Sequence, residues 1–197
     1  MRAKRNIGKR ERQKIANDTC NFPPLEGAKR EKFILKSADA FQEASILALK
    51  HATEHKEQTF FLASVYVVNA AFAVELFLKC LLAVESGQIP ETHNLKDLFN
   101  QVSKESRGKI RKRHNERALN HAVLSGTRER VGIKTDLDSL LEDSQDLFTH
   151  FRYLFEGVQN RTKPLGFVLD LFGQIVRDRI LDLRPEWLSD ESTSPAR

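Results

Sequence analysis

The chain has 197 residues, enough for one domain with a sizeable core, and its 40% hydrophobic and 30% charged composition is that of an ordinary globular protein. A net charge of +5 and a pI near 9.3 permit an anionic partner such as RNA, DNA or a nucleotide without requiring one. Two cysteines, Cys20 and Cys80, exclude a disulfide scaffold and point to a reducing, cytoplasmic setting, and the basic start leads into no apolar segment that would read as a secretory signal.

Residues 1–30 read as a basic flexible arm. Seven Lys or Arg fall within the first fourteen positions, and Pro23 and Pro24 then stop helix formation. A helical domain is expected over 31–184 and a polar, frayed tail over 185–197. Its first core helix is expected from about Ser37 to Gln58, with Phe41, Ala44, Ala48 and Ala52 near one face and Ile46, Leu47 and Leu49 widening it.

The second helix, about 59–86, is apolar nearly all round and ends at Gly87 with Pro90 beyond. Residues 60–84 are long enough to span a bilayer, but Glu75 and Lys79 are expensive there. The central member of a soluble bundle has the same composition, and no membrane partner is expected. Glu75 and Lys79 stand i,i+4 with the acid first, the favourable orientation for a pair. An internal ion pair, shared with Arg152 or Glu156 of a later helix, accounts for them, and Asn69 is expected to hydrogen-bond across helices.

A short helix follows, capped by Thr92 or Asn94 and carrying a Leu95, Leu98, Phe99 and Val102 stripe. Gly108 breaks the pattern, and a basic helical stretch continues to about Gly126. From Lys104 to Arg117 there are seven Lys or Arg against Glu105 and Glu116. Lys104, Lys109, Arg111, Lys112, Arg113 and Arg117 are the candidate phosphate contacts. No aromatic is interleaved, so base stacking is not indicated. The clearest amphipathic pattern runs from Thr135 to Gly157, burying Leu137, Leu140 or Leu141, Leu147, Phe151, Leu154 and Phe155. The last helix, about 166–183, places Phe167, Leu171, Ile175, Ile180 and Leu181 partly on one side and stops at Pro185. No strand alternation or internal repeat is present, and the fold class is all-α.

Most chemical sites are absent by pattern. His51 and His55 flank Glu54 in HATEH, which is not a zinc helix, and the cysteines lie too far apart for a metal knuckle. There is no phosphate-binding glycine loop and no serine elbow. Neither metal nor cofactor is expected.

The string from Asn69 to Leu82, with Glu75-Leu76-Phe77-Leu78-Lys79 at its centre, resembles the signature helix of HEPN-domain proteins. His93-Asn94-Leu95 is similar to the His-x-Leu that follows in that family. Phe151-Arg152-Tyr153-Leu154-Phe155-Glu156 is similar to its Arg-Tyr-x-x-Glu helix. The resemblance covers roughly residues 37–158 and implies an antiparallel helical bundle, here with an additional C-terminal helix, and usually a homodimer. It also implies a superfamily rich in defence, toxin–antitoxin and RNA-processing proteins.

Many of its members are metal-independent endoribonucleases that use an Arg-x4-6-His pair. Histidine titrates near neutral pH and serves a 2′-hydroxyl, while arginine holds a phosphate as charge develops. Arg107 and His114 satisfy that spacing; at the late helix Arg152 is preceded, not followed, by a histidine, His150. Asn69, Glu75, Lys79, His93, Arg152, Tyr153 and Glu156 are the polar core, structural or ligand-binding. Two functions follow: a helical module contacting nucleic acid, a nucleotide or a partner protein, or a dimeric ribonuclease built on Arg107 and His114.

Overall fold

A computed structural model describes residues 25–55, 59–121, 136–144 and 169–189, and these are helical apart from short connections. Seven helices are found among them: α1 (Gly27–Glu54), α2 (Thr59–Ser86), α3 (Leu95–Gln101), α4 (Lys104–Asn120), α5 (Leu137–Ser144), α6 (Leu169–Leu183) and α7 (Glu186–Ser189). The predicted arm up to residue 24, the second half of the 135–157 helix, Phe167 and the end of the tail lie outside the described residues.

The scaffold is the α1–α2 pair. Each helix has 28 residues, about 42 Å of length, and the connection between them is short, so they run antiparallel. The Arg30 guanidinium, at the start of α1, donates to the carbonyl of Gly87 just beyond the end of α2, at 3.3 Å. The α1 seam is Glu31, Leu35, Ala38, Gln42, Ser45, Ala48 and Ala52, all buried. That is the i,i+3/i+4 spacing of a helix face, but two of its middle positions are polar, so hydrophobicity alone does not reveal it. Small residues there let α2 approach closely, and Phe41 meets the Phe72 ring edge-on at 4.6 Å. Two expectations are corrected here. α1 starts ten residues before Ser37, and Ala44, Ile46, Leu47 and Leu49 face away from the seam.

α2 is central. Ala70, Ala71, Ala73, Val74, Phe77, Leu78, Cys80 and Leu81 are all buried, against α1 on one side and α6 on another. The stretch Ser64–Ser86 is long and apolar enough to cross a membrane, yet 67% of its apolar 18-residue window is buried inside the molecule. Burial, with Glu31 and Asp39 nearby, pushes the Cys80 thiol up to about 12, which keeps it an unreactive core group. Gly87 ends α2 with φ +72° and its N–H on the Ala83 carbonyl, the left-handed stop that the sequence predicts.

Asn94 caps α3, its side-chain oxygen accepting from the Asp97 N–H at 3.0 Å, and Leu95, Leu98, Phe99 and Val102 are buried as expected. Gly108 does not interrupt anything: it lies inside α4. The break falls at Val102–Ser103, where Ser103 caps α4 and the Glu85 carboxylate accepts from the Ser103 N–H (2.9 Å) and hydroxyl (2.7 Å). An anion from the end of α2 therefore sits on the N-terminus of α4, where unpaired N–H groups and the helix dipole favour it.

α6 is buried nearly all round and runs antiparallel to α1. Asp170 bonds to Ser45, Arg177 to Asp39 and Arg184 to Glu31 in that order. The tail beyond Pro185 is not simply frayed, since α7 buries Trp187 with the Arg184 guanidinium 6.0 Å over its ring.

Candidate functional site

α4 carries both the expected catalytic pair and the expected phosphate contacts. Its buried face is Ser106, Ile110, His114 and Ala118, four residues apart along one stripe. His114 is 0% exposed and meets the Phe172 ring edge-on at 6.3 Å. Neither ring nitrogen has a hydrogen-bond partner among the described residues. The side-chain oxygen of neighbouring Asn115 accepts from the Leu137 N–H at 3.3 Å. Burial holds the imidazole below its ordinary range, against opposing pulls from Asn115 and Asp136. Arg107 is half-buried, two turns earlier on the same helix, with its Nε enclosed and without a hydrogen-bond partner among the described residues. The sequence pair thus maps to one helix, about 10 Å apart along the axis, with the imidazole inside the core.

The cations of α4 are mostly engaged. Arg111 makes a two-pronged contact with Asp138 of α5, both bonds 2.8 Å. Arg113 reaches Asp182 and Arg117 reaches Asp178, both of α6, at 2.9 Å, while Lys109 pairs with Glu105 at 2.7 Å. Lys104 and Lys112 are exposed. The helix is basic in sequence because α5 and α6 present a complementary row of aspartates, a feature invisible without the tertiary fold. Such exposed pairs are worth about 0–1 kcal/mol each, so they orient the helices more than they hold them.

The polar core of α2 is more tightly built. Glu75 is 2% exposed, and its Oε1 meets Lys79 Nζ at 2.9 Å and His93 Nδ1 at 2.9 Å. Its Oε2 is enclosed with no partner among the described residues. The expected Glu75–Lys79 pair is present, and the structure adds His93, which sits in the α2–α3 connection with its side chain 66% exposed. Asn69 differs from expectation: its amide donates to the Val65 carbonyl one turn back at 2.8 Å, inside α2 instead of across helices. Arg152, Tyr153 and Glu156 lie outside the described residues.

Two polar clusters escape sequence reasoning. Arg179, 5% exposed in α6, donates to the Ser106 hydroxyl (2.8 Å) and to Glu105 (3.1 Å), and Ser106 in turn donates to Glu85. This chain ties the ends of α2, α4 and α6 together. Asp170 accepts from Tyr66 (3.0 Å) and Ser45 (3.2 Å), and its carbonyl accepts from Gln42. Burial raises the Asp170 carboxyl, against those hydrogen bonds and the nearby His121, and burial together with Asp170 raises the Tyr66 phenol. The only sequence signal for either cluster is a charge interrupting the apolar pattern of the last helix.

Residues 38–126 match the family model of the HEPN domain. The match takes in most of α1 and all of α2, α3 and α4, and so includes Glu75, Lys79, His93, Arg107 and His114; α5 to α7 lie beyond it. No curated protein and no solved structure matches the chain.

Proposed function

We infer that this chain, whose residues 38–126 are a HEPN domain, works as a helical binding module that contacts nucleic acid through the outer side of α4. The observation that carries this is the division of labour on that helix. Its imidazole is enclosed, while Lys104 and Lys112 are exposed and Lys109, Arg111, Arg113 and Arg117 are held only by surface pairs that a phosphate backbone can displace. The same module contacting a nucleotide or a partner protein through this face is the competing form. A homodimer belongs to this reading, with the outward apolar residues of α1 as the surface a second copy would cover.

The test is salt-dependent retention of a labelled RNA pool. Lys104→Glu with Lys112→Glu is expected to weaken retention and to lower the slope of log affinity against log salt by about two, roughly one per phosphate contact removed. An unchanged slope would move the reading to a protein partner. A metal-independent endoribonuclease is the alternative. It requires an accessible acid–base group, and the enclosed His114 of the Arg107–His114 spacing stands against it.

A further inference from the structure

We propose that Asp138, Asp178 and Asp182 form an internal phosphate mimic, a screen that a nucleic-acid backbone must displace before α4 binds it. The proposal rests on the nucleic-acid reading above. It adds the regulation of that surface and the form of anion the surface admits.

The geometry of the pairs is the first observation. Arg113 reaches Asp182 and Arg117 reaches Asp178, each at 2.9 Å. Both arginines and both aspartates are spaced i,i+4, so each couple is about 6 Å apart along its helix axis. Two carboxylates in a row thus face two guanidiniums in a row. On the α5 side Asp138 takes Arg111 through two bonds of 2.8 Å. That fork is the contact a guanidinium makes with a carboxylate or a phosphate alike.

The second is access. The six side chains are between 36% and 61% exposed, so a phosphate can replace each carboxylate without opening the core. A pair in such a setting is weak, a preference of up to about fivefold. The third is the fate of the carboxylate left behind. Asp182 also lies 4.0 Å from Nη1 of Arg179, a buried guanidinium that donates to Ser106 and Glu105. Asp182 therefore keeps a cation beside it when Arg113 turns outward, and its charge is not stranded. The fourth is position along the chain. The cations of α4 all fall within residues 38–126, the HEPN match, and the three aspartates all fall beyond it. The screen is an addition to the domain, supplied by α5 and α6.

A screen of this kind discriminates between anions by their length. A single phosphate gains one contact and must displace one carboxylate, so its net gain is small. On a continuous backbone the first exchange tethers the neighbouring phosphates beside the next pairs, and the later exchanges become intramolecular. Counterion release adds to every contact made. The surface therefore selects a continuous backbone over a mononucleotide. With no aromatic between the cations it reads backbone charge and not bases.

The experiment measures retention of a labelled RNA by the full chain, with AMP as the single-phosphate probe. Asp178→Asn with Asp182→Asn is expected to tighten RNA retention about 3- to 30-fold. The same two substitutions in an Arg113→Ala, Arg117→Ala background are expected to change it less than about twofold, because no guanidinium remains to be released. Circular dichroism melts accompany each variant. If the α6 variants do not fold, Asp138→Asn with and without Arg111→Ala runs the same cycle on α5. Tightening that persists without the arginines is a long-range charge effect and overturns the screen. Retention unchanged or weakened in the aspartate variants also overturns it and leaves the binding module standing. AMP held by the wild type as tightly as RNA overturns it as well. RNA retained only once the aspartates are neutralised is the strongest form of the expected result. RNA retained by neither the wild type nor any variant overturns both the screen and the binding module.

Discussion

His114 illustrates how little a residue's identity says about its role until its surroundings are known. On sequence it is a histidine in a basic run, seven positions after an arginine. In the fold it occupies a core position on the α4 stripe, with both nitrogens enclosed. Burial holds its folded-state pKa below the unfolded value near 6.5. As pH falls through that value the unfolded chain binds a proton that the native state does not, so stability present above it is lost on acidification. The loss is limited to about 1.4 kcal/mol per pH unit within that window. His114→Leu removes the titrating group and its unpartnered nitrogens while keeping an apolar contact to Phe172. Urea midpoints of this variant are expected to exceed the wild type at pH 5 and to converge toward it at pH 8. Midpoints that run parallel at both pH values would show that the ring titrates in the native state as it does in the unfolded chain. Glu75 and His93 make the complementary point. The i,i+4 pair with Lys79 was readable from spacing and His93 was expected in the same polar core, but its contact with Glu75 was not readable, because His93 comes from a connection 18 residues along the chain.

At the level of elements, the helix ends were the most legible features. Gly87 stops α2 where the sequence puts the stop, and Asn94 caps α3 three residues before the N–H it receives. Both are local chemistry. Gly87 is held at φ +72° with open space around a Cβ position, so Gly87→Ala meets no clash and feels only the left-handed backbone penalty. Its expected cost is about 1 kcal/mol, read from urea unfolding monitored by circular dichroism. The start of α1 and the α3–α4 break were misplaced for opposite reasons. Glu31, Gln42 and Ser45 are polar residues at buried seam positions, which hides the true face of α1 and its early start. Gly108 signals a break, but α4 tolerates it because Ser103 and Glu85 have already set the helix start five residues earlier. Packing against α6 then supplies what propensity withholds.

Across the whole molecule, the charge pattern changes meaning. Seven cations on one helix read as a nucleic-acid face, and four of them, Lys109, Arg111, Arg113 and Arg117, turn out to meet Glu105, Asp138, Asp182 and Asp178. What the fold leaves exposed is apolar as well as basic. Ile46 is 46% and Leu47 59% exposed, and they line a shallow groove between α1 and α6 with Asp39, Glu43, Gln174 and Arg177. Both signs of charge beside an apolar strip suit a self-complementary two-fold contact. If the proposed homodimer uses this strip, Leu47→Glu is expected to shift the sedimentation coefficient from dimer to monomer at micromolar protein with the helical content unchanged. A wild type that sediments as a monomer at the same concentration removes the homodimer from the reading.

The sequence by itself determined that the chain is all-α, that 59–86 is its central helix, where that helix stops, and which residues line α3. All of these depend on contacts within a turn or two, or on a composition that only burial can satisfy. The HEPN resemblance was legible for the same reason, since its signature is the apolar helix with Glu75 and Lys79 and the His93-Asn94-Leu95 that follows. Tertiary structure alone decided that the His114 ring lies in the core, that the aspartates of α5 and α6 answer the basic helix, and that Glu75 holds His93. Which charge meets which depends on residues brought together from helices 18 to 70 or more positions apart, and no local pattern encodes that distance.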